Sequence, residues 1–234
     1  MKRTLGLTLL LFATLFSCMR QEKPLPAELS RAESVMWEHP DSALSILRSM
    51  PQSSLSSGKN YATWALLLAQ ARDKVYGKRL PDSLNIPSSD ELVQDAMDYF
   101  EKEGNLKRMA QTYYYKGQLL KDQKKITEAM PFFLKSKEMM TKLDEPLFTY
   151  LICQSLGNTY RYQDLYEESL VQLKDAYQYA LRSGNGERIS YALSELGRTY
   201  VHKNEMDSAL FYFGKSLDNA QRLGNIELEA MAMG

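Results

Sequence analysis

Apolar residues recur along this chain at the spacing of an α-helix, with polar residues filling the positions between them. One stretch carries four such residues at helical spacing, and the stretch after it carries three. They are Tyr191, Leu193, Leu196 and Tyr200, followed by Leu210, Phe213 and Leu217. A half-buried strand would instead alternate apolar and polar residues with a period of two, and these segments do not. The pattern predicts an all-α chain built from pairs of helices.

The helix pairs repeat every forty residues, marked by Gly117, Gly157 and Gly197. After each glycine, a small residue follows at twelve positions, a large apolar residue at sixteen and another small residue at nineteen. The small residues at the first offset are Ala129, Ser169 and Ala209. The large apolar residues are Phe133, Leu173 and Phe213, and the second set of small residues is Ser136, Ala176 and Ser216. A fixed period of this length indicates a stacked array, in which each unit buries its apolar face against its neighbours.

The three glycines fall inside the first helix of each pair, where glycine costs roughly 1 kcal/mol relative to alanine. Repeating that cost in register needs a physical reason. We expect a close approach of the second helix at each glycine, because the small residues twelve positions later favour the same approach from the other side.

Turn residues divide the array into units. Glycine followed by asparagine tolerates the left-handed backbone conformation, and such pairs are expected to end one unit and start the next. These pairs are Gly104-Asn105, Gly184-Asn185 and Gly224-Asn225, with Asp144-Glu145-Pro146 at the remaining junction. Within the third unit, Asp207 is predicted to be the N-cap of the second helix. We therefore predict three forty-residue repeats over residues 105–224 and the start of a further unit over 225–234.

The offsets resemble the tetratricopeptide repeat, whose pattern is Leu-Gly, then Tyr three residues later, then Ala, Phe and Ala. Residues 156–160 (Leu-Gly-Asn-Thr-Tyr) and 196–200 (Leu-Gly-Arg-Thr-Tyr) match closely, whereas the first unit has Lys116 and Leu120 at those places. The resemblance implies a right-handed α-α superhelix of antiparallel helix pairs. The family period is 34 residues, so the six extra residues are expected to lengthen both helices at the far end of each hairpin.

The amino terminus resembles a bacterial lipoprotein signal. Lys2 and Arg3 precede an apolar run too short to span a bilayer, and Ser17-Cys18 closes it. The resemblance implies cleavage after residues 1–17 and lipid on Cys18, with residues 18–26 as a tether. The alternative is an ordinary secretory signal followed by a chance cysteine.

Residues 27–104 are predicted to hold degenerate helical hairpins. The run Asp-Ser-Ala-Leu at 41–44 repeats the run at 207–210, which favours a shortened, capping hairpin over residues 27–50. Two further amphipathic helices are expected over 61–76 and 89–102, joined by a loop that contains two prolines and has Gly77 at its head.

The composition excludes several classes of function. The chain has 29 lysines and arginines and 29 aspartates and glutamates, and it has no stripe of basic residues that would indicate nucleic-acid binding. His39 and His202 stand alone, so neither a metal site nor a cofactor is expected. Cys153 is expected to be a buried core thiol. Since no catalytic set stands out, we expect the protein not to be an enzyme.

The resemblance also implies a concave groove lined by the first helices, at fixed offsets from each glycine. The implied positions are Tyr114, Gln118, Lys121 and Asp122; Gln154, Asn158, Arg161 and Tyr162; and Ser194, Arg198, Val201 and His202. Gln118, Asn158 and Arg198 are predicted to form a polar row on the groove floor, where the cations favour an acidic or C-terminal peptide. The alternative is that these residues only keep the groove hydrated.

Signal, tether, cap and repeats together resemble the repeat lipoproteins common in Bacteroidota. The function expected from that resemblance is a lipid-anchored scaffold or adaptor for another protein in the cell envelope. Residues 20–23 lack an acidic cluster that resembles a surface-export signal, which favours the periplasmic side. One alternative is the periplasmic sensory half of a membrane-spanning signalling or transcription regulator, for which the unfinished unit at 225–234 argues. Another is a glycan-binding lipoprotein.

Overall fold

The computed structural model describes residues 24–76 and 89–233, which form eleven α-helices and one short 3-10 helix and contain no strand. The helices are α1 (Ala27–Val35), α2 (Pro40–Ser49), α3 (Gly58–Tyr76), α4 (Ser89–Glu103), α5 (Leu106–Asp122), α6 (Ile126–Thr141), α7 (Pro146–Arg161), α8 (Tyr166–Ser183), α9 (Gly186–His202), α10 (Met206–Leu223) and α11 (Ile226–Met233). The predicted all-α superhelix is confirmed.

Some of the sequence predictions fall outside the described residues. They are the signal peptide, Cys18, the first part of the tether, Gly77 and the proline-containing loop. The division of the chain into tether, cap and repeats stays a prediction. Among the described helices, none combines the length and the apolar character that crossing a bilayer requires.

The helices stack as antiparallel pairs, and the array curves. Each helix packs against the helices before and after it in the chain. Each odd-numbered helix also contacts the next odd-numbered helix, whereas within the described residues no even-numbered helix contacts another even-numbered one. Closer spacing on one side of a stack bends it toward that side, so the odd-numbered helices line the concave face.

The junctions between units follow the predicted turn chemistry. Gly104, Gly184 and Gly224 adopt positive φ values of 78°, 67° and 63°, which glycine reaches without steric cost. The asparagine after each glycine accepts a hydrogen bond from the backbone N–H three residues on, at 3.0, 3.0 and 3.1 Å. Asp144 takes the left-handed conformation at the remaining junction, with φ 53°, and Pro146 opens α7.

The prediction for Asp207 is wrong. Helix α10 begins at Met206 with Glu205 at the N-cap, and no side chain caps it. Asp207 lies in the first turn instead, where a carboxylate is favourable near the positive end of the helix dipole. The chain enters α10 through Asn204, whose φ is 60°, and the helix starts two residues earlier than a capping Asp207 would require.

The second helix approaches each repeat glycine closely, but through a large side chain and not, as the small residues indicated, mainly through the helix backbone. A Cβ atom at Gly117 would lie 2.7 Å from Cε1 of Phe133, and one at Gly157 would lie 2.6 Å from Cγ of Leu173. Gly197 repeats the arrangement against Phe213 at 2.7 Å. The glycine of the first helix therefore accommodates the large residue sixteen positions later.

Cys153 is fully buried between α7 and its neighbours, as predicted for a core thiol. Burial raises the pKa of its thiol to about 12. Since the thiolate is the reactive form, this cysteine is chemically inert near neutral pH.

Candidate functional site

A cavity of about 470 Å³ opens on the concave face of the array. Helices α3, α5, α7 and α9 supply most of its wall, and the junction of α1 and α2 supplies the rest. Its lining residues are Trp37, Pro40, Asp73, Lys74, Tyr114, Tyr115, Gln118, Lys121, Leu151, Gln154, Ser155, Asn158 and Arg188. Its volume lies within the 300–1,000 Å³ typical of ligand pockets. We call this space the concave cavity.

Charged side chains face one another across the concave cavity. Burial, reinforced by the positive charge of Arg188, lowers the pKa of Lys74 to about 8. Burial also raises the pKa of the Asp73 carboxyl above its ordinary value, although nearby Lys121 opposes that shift. The ammonium of Lys74 lies 3.7 Å from the centroid of the Trp37 ring, a cation–π contact typical of a partly desolvated cation.

Asn158 lines this space and carries an unused hydrogen-bond acceptor. Its Oδ1 atom is buried and has no hydrogen-bond partner among the described residues. Leaving a buried acceptor unsatisfied costs about 1–3 kcal/mol. An amide or hydroxyl donor from a bound ligand would remove that cost, which makes Asn158 the position in the cavity best prepared to receive one.

Gln118 is already engaged. It donates from Nε2 to the Tyr114 hydroxyl at 2.8 Å, and its Oε1 accepts from the Lys121 ammonium. The amide that the sequence placed in a row with Asn158 therefore belongs to an internal chain of hydrogen bonds, although it still lines the concave cavity.

A second hollow of about 420 Å³ adjoins the first and shares Lys121 and Asn158 with it. Its other lining residues are Lys124, Ile126 and Tyr162. The Tyr162 side chain is 68% exposed, so its ring stands free to pack against a ligand. Together the two hollows make a continuous groove along α5 and α7 that brings together Gln118, Lys121, Gln154, Asn158 and Tyr162 from the predicted set.

Two arginines that were predicted to line the groove instead form ion pairs with a glutamate of the same chain. Arg161 donates to Oε2 of Glu195 at 2.6 Å, and its side chain is only 12% exposed. Arg198 donates to the other oxygen of the same carboxylate, Oε1, at 2.7 Å. One buried glutamate therefore pairs with both cations, and the predicted polar row does not continue from Asn158 to Arg198.

Three further predicted groove positions also differ from expectation. Tyr114 is buried, with its ring against Phe148 at 5.2 Å between centroids, because the aromatic side chain fills the core and leaves its hydroxyl at the cavity wall. Ser194 is fully buried and hydrogen-bonds to Ser216 at 2.9 Å, since helices α9 and α10 close on each other there. His202 is exposed and stacks on Tyr166.

Sequence reasoning missed Trp37, Asp73, Lys74, Arg188 and Glu195. The first three lie between residues 27 and 104, where no repeat register identifies the groove positions. Arg188 lies nine residues before Gly197, outside the offsets that the family pattern implies. No group of three or more metal-ligating side chains occurs within residues 24–76 and 89–233.

The comparisons with known proteins support the fold. No family model and no curated protein matches the sequence. A signal-transduction ATPase with numerous domains from Pyrococcus horikoshii, which carries a tetratricopeptide repeat sensor, superposes with a TM-score of 0.70 at 17% identity. The match covers 88% of this chain but 31% of the ATPase, so the chain spans about a third of that protein.

Two Rap proteins are also similar. RapI in its apo form gives a TM-score of 0.68 at 17% identity, over 88% of this chain and 73% of RapI. A Rap protein in complex with Competence and Sporulation Factor gives 0.70 at 13% identity, over 93% of this chain and 60% of its own. At these identities the likeness shows the fold alone, which is a tetratricopeptide-like helical array.

Proposed function

We propose that this protein is a helical-repeat scaffold that binds a peptide, or an extended segment of a partner protein, in the concave cavity. The observation that carries the proposal is the buried Asn158 acceptor beside a 470 Å³ cavity lined by both charged and aromatic side chains. Ligand sites combine an apolar wall with a few placed polar groups in this way.

A peptide suits the cavity better than an apolar ligand does. A backbone amide offers a donor for Asn158 and an acceptor for Lys121 or Gln154 within one short segment. The fold supports the proposal as well, because a Rap protein of this architecture forms a complex with Competence and Sporulation Factor.

The test is site-specific photo-crosslinking in the native host. A photoreactive residue in place of Gln154 reports on the cavity, and the same residue in place of Val171, exposed on α8, reports on the outer face. We expect a discrete adduct from position 154 and none from position 171. Adducts at 171 with none at 154 would place the binding surface elsewhere.

We further propose that Cys18 carries lipid and holds the protein in the cell envelope, on the periplasmic side. The support is Lys2, Arg3, the short apolar run and Ser17 before the cysteine. Each buried CH₂ contributes about 0.8 kcal/mol to membrane binding, and stable anchoring needs more than one acyl chain. Mass spectrometry of the mature amino terminus decides the matter, since an unmodified residue there contradicts the proposal.

A sensory role is the second candidate, and one observation favours it. The Pyrococcus horikoshii protein that this chain resembles in part is a signal-transduction ATPase with a tetratricopeptide repeat sensor. In that role the concave cavity would still bind the ligand, and occupancy would be transmitted to another segment. If blocking the cavity abolishes a downstream transcriptional response but leaves the bound envelope proteins unchanged, the protein acts as a sensor and not as a scaffold.

A further inference from the structure

We propose that the acidic group of the bound peptide docks between Lys74 of α3 and Arg188 of α9. This inference rests on the proposed function and names the chemistry of the ligand, a peptide carboxylate. The carboxylate belongs either to the C-terminus or to an Asp or Glu side chain.

The two cations are prepared for an anion. Lys74 contacts the face of Trp37, and the Arg188 guanidinium lies 5.7 Å from the centroid of the Tyr150 ring. Neither makes an ion pair within the described part of the chain. An aromatic ring stabilises a cation only weakly compared with a carboxylate, so a carboxylate arriving here gains a charge-assisted contact without breaking one.

The balance of charge in the concave cavity favours the same ligand. Its lining includes three basic side chains and one acidic one, Asp73. Burying a cation without an anionic partner is unfavourable, and the pKa of Lys74 is lowered first by its burial and second by the positive charge of Arg188. An anion from the ligand restores the balance, whereas a neutral or cationic segment does not.

The neighbouring groups fit a peptide in particular. An arginine holds a carboxylate through two parallel hydrogen bonds, and a lysine adds a point charge. Asn158, on the helix between those that carry the two cations, accepts a hydrogen bond from a donor. A backbone N–H close to the carboxylate supplies that donor. A fully ionised inorganic anion such as sulfate has no donor to offer.

The placement of this pair is independent of the predicted groove row. Lys74 lies in a hairpin that precedes the regular repeats, and Arg188 begins the third repeat. The curvature of the array brings their helices to one cavity. A carboxylate held by both therefore bridges helices α3 and α9 across the concave face.

The pair makes binding depend on pH. The groups facing Lys74 are Asp73, Lys121 and Arg188, with Tyr114 and Tyr115 in the same wall. Burial raises the pKa of both tyrosine hydroxyls far above neutrality, and arginine stays protonated. Protonated Lys74 is the form that binds a carboxylate. Affinity is therefore highest below pH 8 and falls as the pH rises through about 8 to 9.

Affinity selection with synthetic hexapeptides tests the inference on the full chain. Three random pools are offered: one with a free C-terminus and no Asp or Glu, one with a C-terminal amide that contains Asp and Glu, and one with neither kind of carboxylate. Mass spectrometry counts the peptides retained. We expect at least tenfold greater retention from one or both carboxylate pools than from the third, and the pool that is retained identifies the source of the carboxylate.

Single variants test the contribution of each cation to peptide retention. Lys74→Met and Arg188→Gln should each lower retention about tenfold, the loss expected for one charge-assisted hydrogen bond of about 1.4 kcal/mol. Lys74→Arg should keep the binding and remove its dependence on pH between 7 and 9. Lys215→Met, which changes a lysine packed over Phe211 on α10, is the matched control and should change nothing.

Each failure has a distinct meaning. Equal retention from all three pools overturns the carboxylate and leaves peptide binding in the cavity intact. Retention that depends on a carboxylate but is unchanged by both Lys74→Met and Arg188→Gln places the acidic group elsewhere. Retention of no peptide from any pool contradicts this inference, and the absence of an adduct at position 154 then contradicts the proposed function as well.

Discussion

At the scale of single residues, the repeat glycines leave room for one large side chain each. Phe133 is fully buried and its ring occupies the space that a Cβ at Gly117 would take. Gly214 gives the contrast, because it is also helical but nothing lies within 4 Å of the position of its missing Cβ. The same residue type therefore serves packing at one site and has no packing role at the other.

The two glycines should respond oppositely to alanine. We expect Gly117→Ala to destabilise the protein by about 1–3 kcal/mol, because overpacking outweighs the gain in helix propensity. Gly214→Ala should stabilise it by about 0.5–1 kcal/mol. Urea denaturation of the two variants measures both values. A stabilised Gly117→Ala protein would show that the second helix does not press on that position.

At the scale of helices, Glu195 of α9 connects its own unit to the preceding one through hydrogen bonds. Its carboxylate and backbone carbonyl both accept from Arg161 at the end of α7, and its second oxygen accepts from Arg198 one turn later. The Arg161 side chain is 12% exposed and the Arg198 side chain 45%. The buried partner depends on Glu195, whereas the exposed one can be solvated by water.

Removing the carboxylate should therefore cost more than removing the exposed arginine. Glu195→Ala leaves the Arg161 charge buried without its partner, and we expect a loss of about 3 kcal/mol. Arg198→Ala removes only an exposed pair and should cost less than about 1 kcal/mol. Unfolding free energies of the two variants test this, and similar losses would mean that the α7–α9 contact does not depend on the buried pair.

At the scale of the whole molecule, the repeat fold was predictable and its binding site was predictable only in part. The apolar period and the Gly-Asn junctions are local signals, so helices α5 to α10 and their close contacts follow from them. Lys74 and Arg188 share a cavity because the array curves, and no local pattern encodes that curvature. The pairing of Arg161 with Glu195 was missed for a related reason, since the family offsets identify a groove face but not a neutralising partner within it.

The proposed function requires that the ligand binds in the concave cavity and not near Arg198. The most direct measurement is the affinity for the molecule crosslinked at position 154, compared between the unaltered protein and two single variants. Asn158→Ala should weaken binding about tenfold, because it removes the buried acceptor that a ligand donor would satisfy. Arg198→Ala should leave the affinity unchanged, since its guanidinium is bound to Glu195 outside the cavity. Unchanged affinity in Asn158→Ala together with a loss in Arg198→Ala would contradict the claim.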